Sequence, residues 1–304
     1  MKLFSYLSKN NLNSIGVQTE KGDYDLTRAF DIYQQAKGVH QPVSFAFLQV
    51  MVEMGYFSKS AVTKILSDPW VQSKDRELAL GSDCRYDVPI ARPSKIVCLG
   101  RNYGSHAKEL DHAVPKEPVF FAKAPSSLVP HEGDIVIPRW LDSRVDHEAE
   151  LALVIGKTGK NIPREAALDY IAGFSIVNDV TARAMQKEDQ GRSEPWFRSK
   201  SIDTFCPMGP YLVPAEEIVH PQKLEIVLTV NGKQRQHSST SDMLFPIPVL
   251  LEHVSRFMTL HPGDIIATGT PEGVSPIQDG DTIEITIEGL GTLRNRVRKE
   301  KPAE

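Results

Sequence analysis

The sequence predicts an α+β fold, mostly β in its larger C-terminal part, with a small mixed α/β unit at the start of the chain. Two observations predict it. From about Val88 onward, short apolar runs rich in Val, Ile and Leu alternate with Gly, Pro and Asn, the pattern of strands and turns. Before that point apolar residues recur at helical spacing. Pro89 and Pro93 interrupt the change of texture, so the expected division is a small N-terminal unit over 1–88 and a larger unit over 89–304.

In the first unit, Ser14 to Gln18 reads as a strand, Lys21-Gly22-Asp23 as a turn and Tyr24 to Leu26 as the returning strand. Thr27 is an N-cap candidate for a helix over Arg28 to Lys37, which Gly38 stops. Ser44 is a cap candidate for a second helix, with Phe47, Val50, Met51 and Met54 at helical spacing up to Gly55. Ser58 starts a third, ended by Asp68-Pro69. In the second unit, strands are expected over Lys95 to Leu99, Asp134 to Ile137, Glu148 to Ile155, Phe174 to Asn178, Asp264 to Thr268, Thr282 to Ile287 and Gly291 to Val297. Leu224 to Val230, Asn231-Gly232 and the run from Lys233 read as a hairpin with a type I′ turn. Helices are expected only over Pro163 to Tyr170 and around Val249 to Met258.

Composition narrows the function. Lys plus Arg number 35 and Asp plus Glu 39, a net charge of −4, so the basic excess of a general nucleic-acid binder is missing. A hydrophobic fraction of 40% and a charged fraction of 24% are those of a globular chain. The longest apolar run, Met243 to Leu251, is broken by Pro246 and Pro248 and is far short of a membrane span. The opening MKLFSYLSKNNLN lacks a signal-peptide core, and Cys84, Cys98 and Cys206 are widely spaced. A cytoplasmic protein that binds neither membrane nor nucleic acid is expected.

Five segments carry chemistry. In Asp146-His147-Glu148-Ala149-Glu150, strand periodicity puts Glu148 and Glu150 on one face, with Ala149, Leu151, Leu153 and Ile155 on the other. Two like charges side by side call for a cation, and all-oxygen ligation favours Mg²⁺, Mn²⁺ or Ca²⁺. The pair also fits a solvated strand face, since Glu is usually exposed. Asp179 closes the next apolar strand, as a third carboxylate ligand or as a helix cap. Arg183 and Gln186 follow at a spacing that shares one face if the segment is helical. In Gly100-Arg101-Asn102-Tyr103-Gly104-Ser105-His106-Ala107-Lys108-Glu109, His106 and Glu109 suit a base oriented by a carboxylate, or an ordinary surface pair. Lys200 follows a polar stretch, Lys187 to Glu194, read as a loop, and by itself fits a solvated surface. Thr268-Gly269-Thr270 is a Gly-rich turn that lets backbone N–H groups approach an anion, or merely a tight turn.

Together the segments GRNYGSHAKEL, DHEAELALVIGK, YIAGFSIVNDVTARAMQ, SKSIDTFCPMGP and GDIIATGTPEGV resemble the fumarylacetoacetate hydrolase family, over roughly Lys95 to Val297. The resemblance implies a β-roll of mostly antiparallel strands as a catalytic domain over 89–304, and a cap-like domain over 1–88. It implies Mg²⁺ or Mn²⁺ held by Glu148, Glu150 and Asp179, and a catalytic His106–Glu109 pair on a mobile lid segment. Lys200 matches a substrate-side catalytic lysine. Arg183, Gln186 and Thr270 match substrate-contacting positions, and Arg101 and Tyr103 are assigned to substrate binding with them. The fumarylacetoacetate-cleaving enzyme has a further metal carboxylate just before its Tyr and His. Arg101-Asn102 stands there in this chain, nearer the branch of acylpyruvases, decarboxylases and isomerases. The function so implied is hydrolysis of a C–C bond in a β-dicarbonyl or acylpyruvate acid, in a homodimer. The alternative is decarboxylation of a 2-oxo diacid such as oxaloacetate, or isomerisation of a hydroxy-diene-dioate, at the same metal site.

Overall fold

The computed structural model describes residues 1–39, 43–81, 84–104 and 115–301. Its frame is one long sheet. From edge to edge it runs Gly22–Asp25, Asn13–Thr19, Lys2–Leu7, Cys206–Pro214, Ile171–Asn178, Ala149–Ile155, Ile265–Ala267, Ile96–Gly100 and Val119–Lys123. Arg85–Asp87 also pairs with Lys2–Leu7, and Leu128–Pro130 lies parallel to Cys206–Pro214. Neighbours along the main path are antiparallel except Ile265–Ala267 and Ile96–Gly100, which are parallel.

The central strand Ala149–Ile155 is buried at every position. Its alternate residues enter two different cores. Ala149, Leu151, Leu153 and Ile155 join one apolar cluster with Val97, Leu99 and Ile176. Ala152 and Val154 join the other, with Ile96, Cys98 and Val177 and with Leu3, Ile15, Leu48 and Met51 from the N-terminal unit. The near-continuous run Leu151-Ala152-Leu153-Val154-Ile155 is what a strand covered on both faces requires. The N-terminal residues thus cover one face of the sheet whose other face packs on the C-terminal part. They also extend the sheet, because Lys2–Leu7 pairs with Cys206–Pro214 through Leu3 and Leu212.

A second sheet takes the order Lys233–Ser239, Glu225–Val230, Thr282–Ile287, Gly291–Lys299 and Asp134–Ile137. Its first two strands are the expected hairpin, with Asn231 at φ 54° and Gly232 at φ 72°, both in the left-handed region that a type I′ turn needs. A separate small ladder pairs Val145–Asp146, just before the polar end of the central strand in the chain, with Thr181–Ala182 and Pro276–Ile277.

Several local expectations are corrected. The first helix is Leu26–Ala36, and its cap is Asp25, whose carboxylate accepts from the Arg28 N–H; Thr27 instead donates to the Phe45 carbonyl. The second, Leu48–Glu53, has no side-chain cap. Ser58 does cap Lys59–Leu66. Pro163 to Tyr170 forms a 3₁₀ helix, Arg164–Tyr170. Most of the stretch read as a loop belongs to the helix Arg183–Gly191. The strands Lys2–Leu7, Val119–Lys123 and Cys206–Pro214 were not foreseen. The expected fold class, mostly β with a mixed N-terminal unit, is the one observed.

Candidate active site

The site forms where the central strand loses its apolar character. Glu150 shares a strand face with Ala152 and Val154, and Glu148 lies two residues further along the same face. The face that is core under the N-terminal residues therefore becomes carboxylate at its end. Asp179 follows directly on the neighbouring strand Ile171–Asn178, and its N–H donates to the Glu148 carbonyl at 2.9 Å. The three carboxylates are 1–4% exposed, and one ligand oxygen of each lies within 4.8 Å of the others. A solvated acidic face is thus not what the sequence encodes. Nor is Asp179 a helix cap; the next helix, Arg183–Gly191, starts from Ala182.

Buried cations surround the acids. Lys200 Nζ donates to Glu148 Oε2 at 2.9 Å and to Asp179 Oδ2 at 2.6 Å. Lys123 Nζ donates to the other Asp179 oxygen at 2.7 Å and to the Val180 carbonyl at 3.1 Å. Arg183 bridges Asp146, at 2.8 Å, and Glu148, and it donates to Gln186 Oε1 at 2.5 Å, so the two do share a helix face. Burial alone would lower the Lys200 pKa, but the Asp179 and Glu148 charges outweigh it and push it up to about 12. Lys200 is therefore a fixed cation and hydrogen-bond donor at neutral pH, not a base. Burial likewise opposes the charge of Arg183, and Glu148 and Asp146 raise its pKa regardless.

Glu150 is different. Its hydrogen-bond partner is the Gly269 N–H, at 2.8 Å, and no described Lys or Arg bonds to it. Burial, then the Asp179 and Glu148 charges, push its carboxyl well above the usual carboxylate range, against the pull of Lys200 and the Gly269 N–H. Gly269 is needed for that contact. Its φ is +96°, and a Cβ there would lie 2.9 Å from the Asn102 Cβ and 3.1 Å from the Leu99 carbonyl. A buried carboxylate lacking a cation, next to two others, fits a hard divalent ion with oxygen ligands. Glu148, Glu150 and Asp179 are the residues that would hold it.

A cavity of about 40 Å³ opens beside the cluster, room for an ion and a few waters. Its lining includes Glu148, Glu150, Arg183, Gln186, Lys200, Thr270 and Arg101. Arg101 sits over the Trp196 ring, 5.7 Å from its centroid. Tyr103 does not line the cavity; it is fully buried in the first apolar cluster, with its hydroxyl lacking a partner among the described residues. His106 and Glu109 lie outside the described residues. Sequence reasoning missed Lys123, Asp146 and Gln236. A lysine closing the apolar strand Val-Phe-Phe-Ala-Lys was the one available signal for the first of them.

The family model described as fumarylacetoacetate (FAA) hydrolase C-terminal matches residues 95–298. The chain belongs to the fumarylacetoacetate hydrolase family. An uncharacterised protein of Pyrococcus abyssi is 52% identical over 218 residues, 72% of this chain and 95% of its own length. Oxaloacetate tautomerase YisK of Bacillus subtilis is 46% identical over 227 residues, 71% of this chain and 74% of that protein. Among solved structures, fumarylacetoacetate hydrolase from psychrophilic Exiguobacterium antarcticum superposes with a TM-score of 0.80 and 35% identity, covering 99% of this chain and 100% of that one. Maleylpyruvate hydrolase from Sphingobium sp. SYK-6, in complex with manganese(II) and pyruvate, gives a TM-score of 0.78 and 28% identity, over 99% and 100%. Members of the family are enzymes acting on small molecules, and no described helix of this member is long and apolar enough to cross a membrane.

Proposed function

We propose that this enzyme uses Mg²⁺ or Mn²⁺ to hydrolyse a C–C bond in a 2-oxo, β-dicarbonyl acid of the acylpyruvate type. The observation that carries the reading is the buried Glu148–Glu150–Asp179 cluster, flanked by fixed cations and open to a small cavity. When bound, the ion supplies Lewis acidity that stabilises negative charge on the enol oxygen of the substrate. Lys200 and Arg183 hold anionic substrate oxygens, and both keep their charge throughout because neither has a pKa near neutrality. Gln186 and Arg101 orient the acid from the cavity wall.

His106, oriented by Glu109, takes a proton from water as the water oxygen adds to the distal carbonyl carbon. The C–C bond then breaks, its electron pair passes into the 2-oxo acid fragment as an enolate, and that carbon is protonated. The products are two carboxylic acids. The same proposal includes a cytoplasmic homodimer, with residues 1–88 as a cap-like unit.

A second reading is keto–enol exchange of oxaloacetate, favoured by the 46% identity to the tautomerase of Bacillus subtilis. It needs the same cluster and enolate but no water attack on a carbonyl. The test is a panel of acylpyruvates, fumarylpyruvate, fumarylacetoacetate and oxaloacetate with Mg²⁺ or Mn²⁺, with and without chelator. Two acids from an acylpyruvate support hydrolysis. Enol-to-keto conversion of oxaloacetate alone supports the second reading, and turnover undiminished by chelator overturns both. His106→Ala should lower kcat for hydrolysis by about 10²–10⁴-fold.

A further inference from the structure

The outer strand Lys233–Ser239 exposes Lys233, Gln234, Arg235 and His237 but buries Gln236, which is 1% exposed. A buried glutamine must place one acceptor oxygen and one NH₂ group. Here Oε1 accepts from the Ala149 N–H at 3.0 Å and faces His147 Nδ1 at 3.2 Å. Nε2 donates to the Pro271 carbonyl at 2.9 Å and to Thr270 Oγ1 at 2.8 Å. A backbone N–H only donates and a backbone carbonyl only accepts. The orientation of the amide is therefore dictated by Ala149 and Pro271, which are fixed at either end.

The polarity of the next group follows. Both Nε2 hydrogens are engaged, so Thr270 Oγ1 accepts from Gln236 and its own hydrogen must point elsewhere. No described residue offers that hydrogen an acceptor, and Thr270 lines the catalytic cavity. Gly273 permits the arrangement. Its φ is +92°, and a Cβ there would lie 2.0 Å from the Arg235 carbonyl oxygen, so only glycine lets the turn close on this strand.

We infer that Gln236 is a positioning residue that fixes the Thr270 hydroxyl as a hydrogen-bond donor into the cavity. Thr270 then serves an anionic oxygen, a carboxylate or enolate oxygen of the ligand, and disfavours a ligand group that itself donates. The choice of ligand rests on the 2-oxo acid function proposed above; the polarity of the hydroxyl does not.

Two experiments test it. In a neutron structure of the wild-type protein in D₂O, the Thr270 deuterium should point into the cavity; a deuterium directed at Gln236 overturns the inference. Calorimetry with Mn²⁺ and pyruvate as the probe tests the consequence. Thr270→Val and Gln236→Met should each weaken pyruvate binding about 10- to 100-fold, the worth of one hydrogen bond to a charged group. Thr270→Ser should retain binding, the double variant should be no weaker than Thr270→Val, and Mn²⁺ affinity should stay within about twofold. Additive losses, or a Gln236→Met defect that follows Mn²⁺ affinity, would show a merely structural role and overturn it. Failure of the wild-type protein to bind pyruvate would overturn the substrate class, and the neutron structure would still decide the role of Gln236.

Discussion

Glu150→Gln should stabilise the metal-free protein while removing the proposed metal site. At neutral pH the unfolded chain keeps Glu150 ionised, whereas the folded chain encloses it among Asp179 and Glu148 with ligand oxygens no more than 4.8 Å apart. At an effective dielectric constant of about 20, one such like-charge pair costs about 3 kcal/mol, partly offset by Lys200. Protonation caps the penalty. Taking up a proton at pH 7 by a group whose ordinary value is 4.5 costs about 3 kcal/mol. Because its folded pKa is raised, the folded state holds the proton more tightly, and stability falls as pH rises above 4.5. Gln removes that slope and can still accept from the Gly269 N–H.

Urea unfolding in excess EDTA should therefore show the variant more stable by about 1–3 kcal/mol at pH 7, with the gain vanishing near pH 4.5. Mn²⁺ at about 100 times its Kd should stabilise the wild type by about 2.7 kcal/mol and the variant hardly at all. A variant less stable than wild type in EDTA at pH 7, or a gain independent of pH, would refute the reasoning.

Lys200→Met should remove most activity, at least about 10²-fold in kcat, and cost the metal-free protein about 1–3 kcal/mol in urea titrations, because two buried carboxylates lose their shared cation while Asp179 keeps Lys123 and Glu148 keeps Arg183. Gly269→Ala should cost about 2 kcal/mol or more and weaken Mn²⁺ binding by calorimetry, since the new methyl meets Asn102 and Leu99 and moves the N–H that Glu150 accepts. In the native protein at pH 7.5, iodoacetamide should label Cys84 and spare Cys98 and Cys206, both enclosed and both with thiol pKa values raised by burial; mass mapping reads the result.

The geometry of the site was legible to different depths at different residues. The shared face of Glu148 and Glu150 follows from strand periodicity, and the opposite set, from Ala149 to Ile155, enters one core as expected. Two-sided burial was also written in the uninterrupted run from Leu151 to Ile155, and it is what excludes a solvated acidic face. Cys206–Pro214 was hidden because Pro207, Gly209, Pro210 and Pro214 read as breakers; the strand survives because Ile171–Asn178 pairs with it along one side. Lys123 closes an apolar run that hints at its burial, whereas Gln236 lies among exposed polar residues that give no such hint. Their partners, Asp179 and Thr270, lie 56 and 34 residues away, a proximity that only the tertiary fold creates.

The splice between Lys2–Leu7 and Cys206–Pro214 has a bearing on solubility. The family match begins at residue 95, so a chain trimmed to that region would lack the strand that now lies along Cys206–Pro214. An open strand edge is a template for pairing with other chains. Here the edge would be partly self-protected, because Pro207, Pro210 and Pro214 carry no N–H to offer, and Leu128–Pro130 still shields Cys206 to Met208. The greater hazard would be the stripped face: Ile96, Cys98, Ala152, Val154, Val177 and Leu212 would exchange a packed apolar partner for water and form a sticky plate. The N-terminal residues thus act as a built-in cover for the sheet that carries the carboxylates. Polar replacements on that plate would have to accompany any shortened form meant to stay soluble.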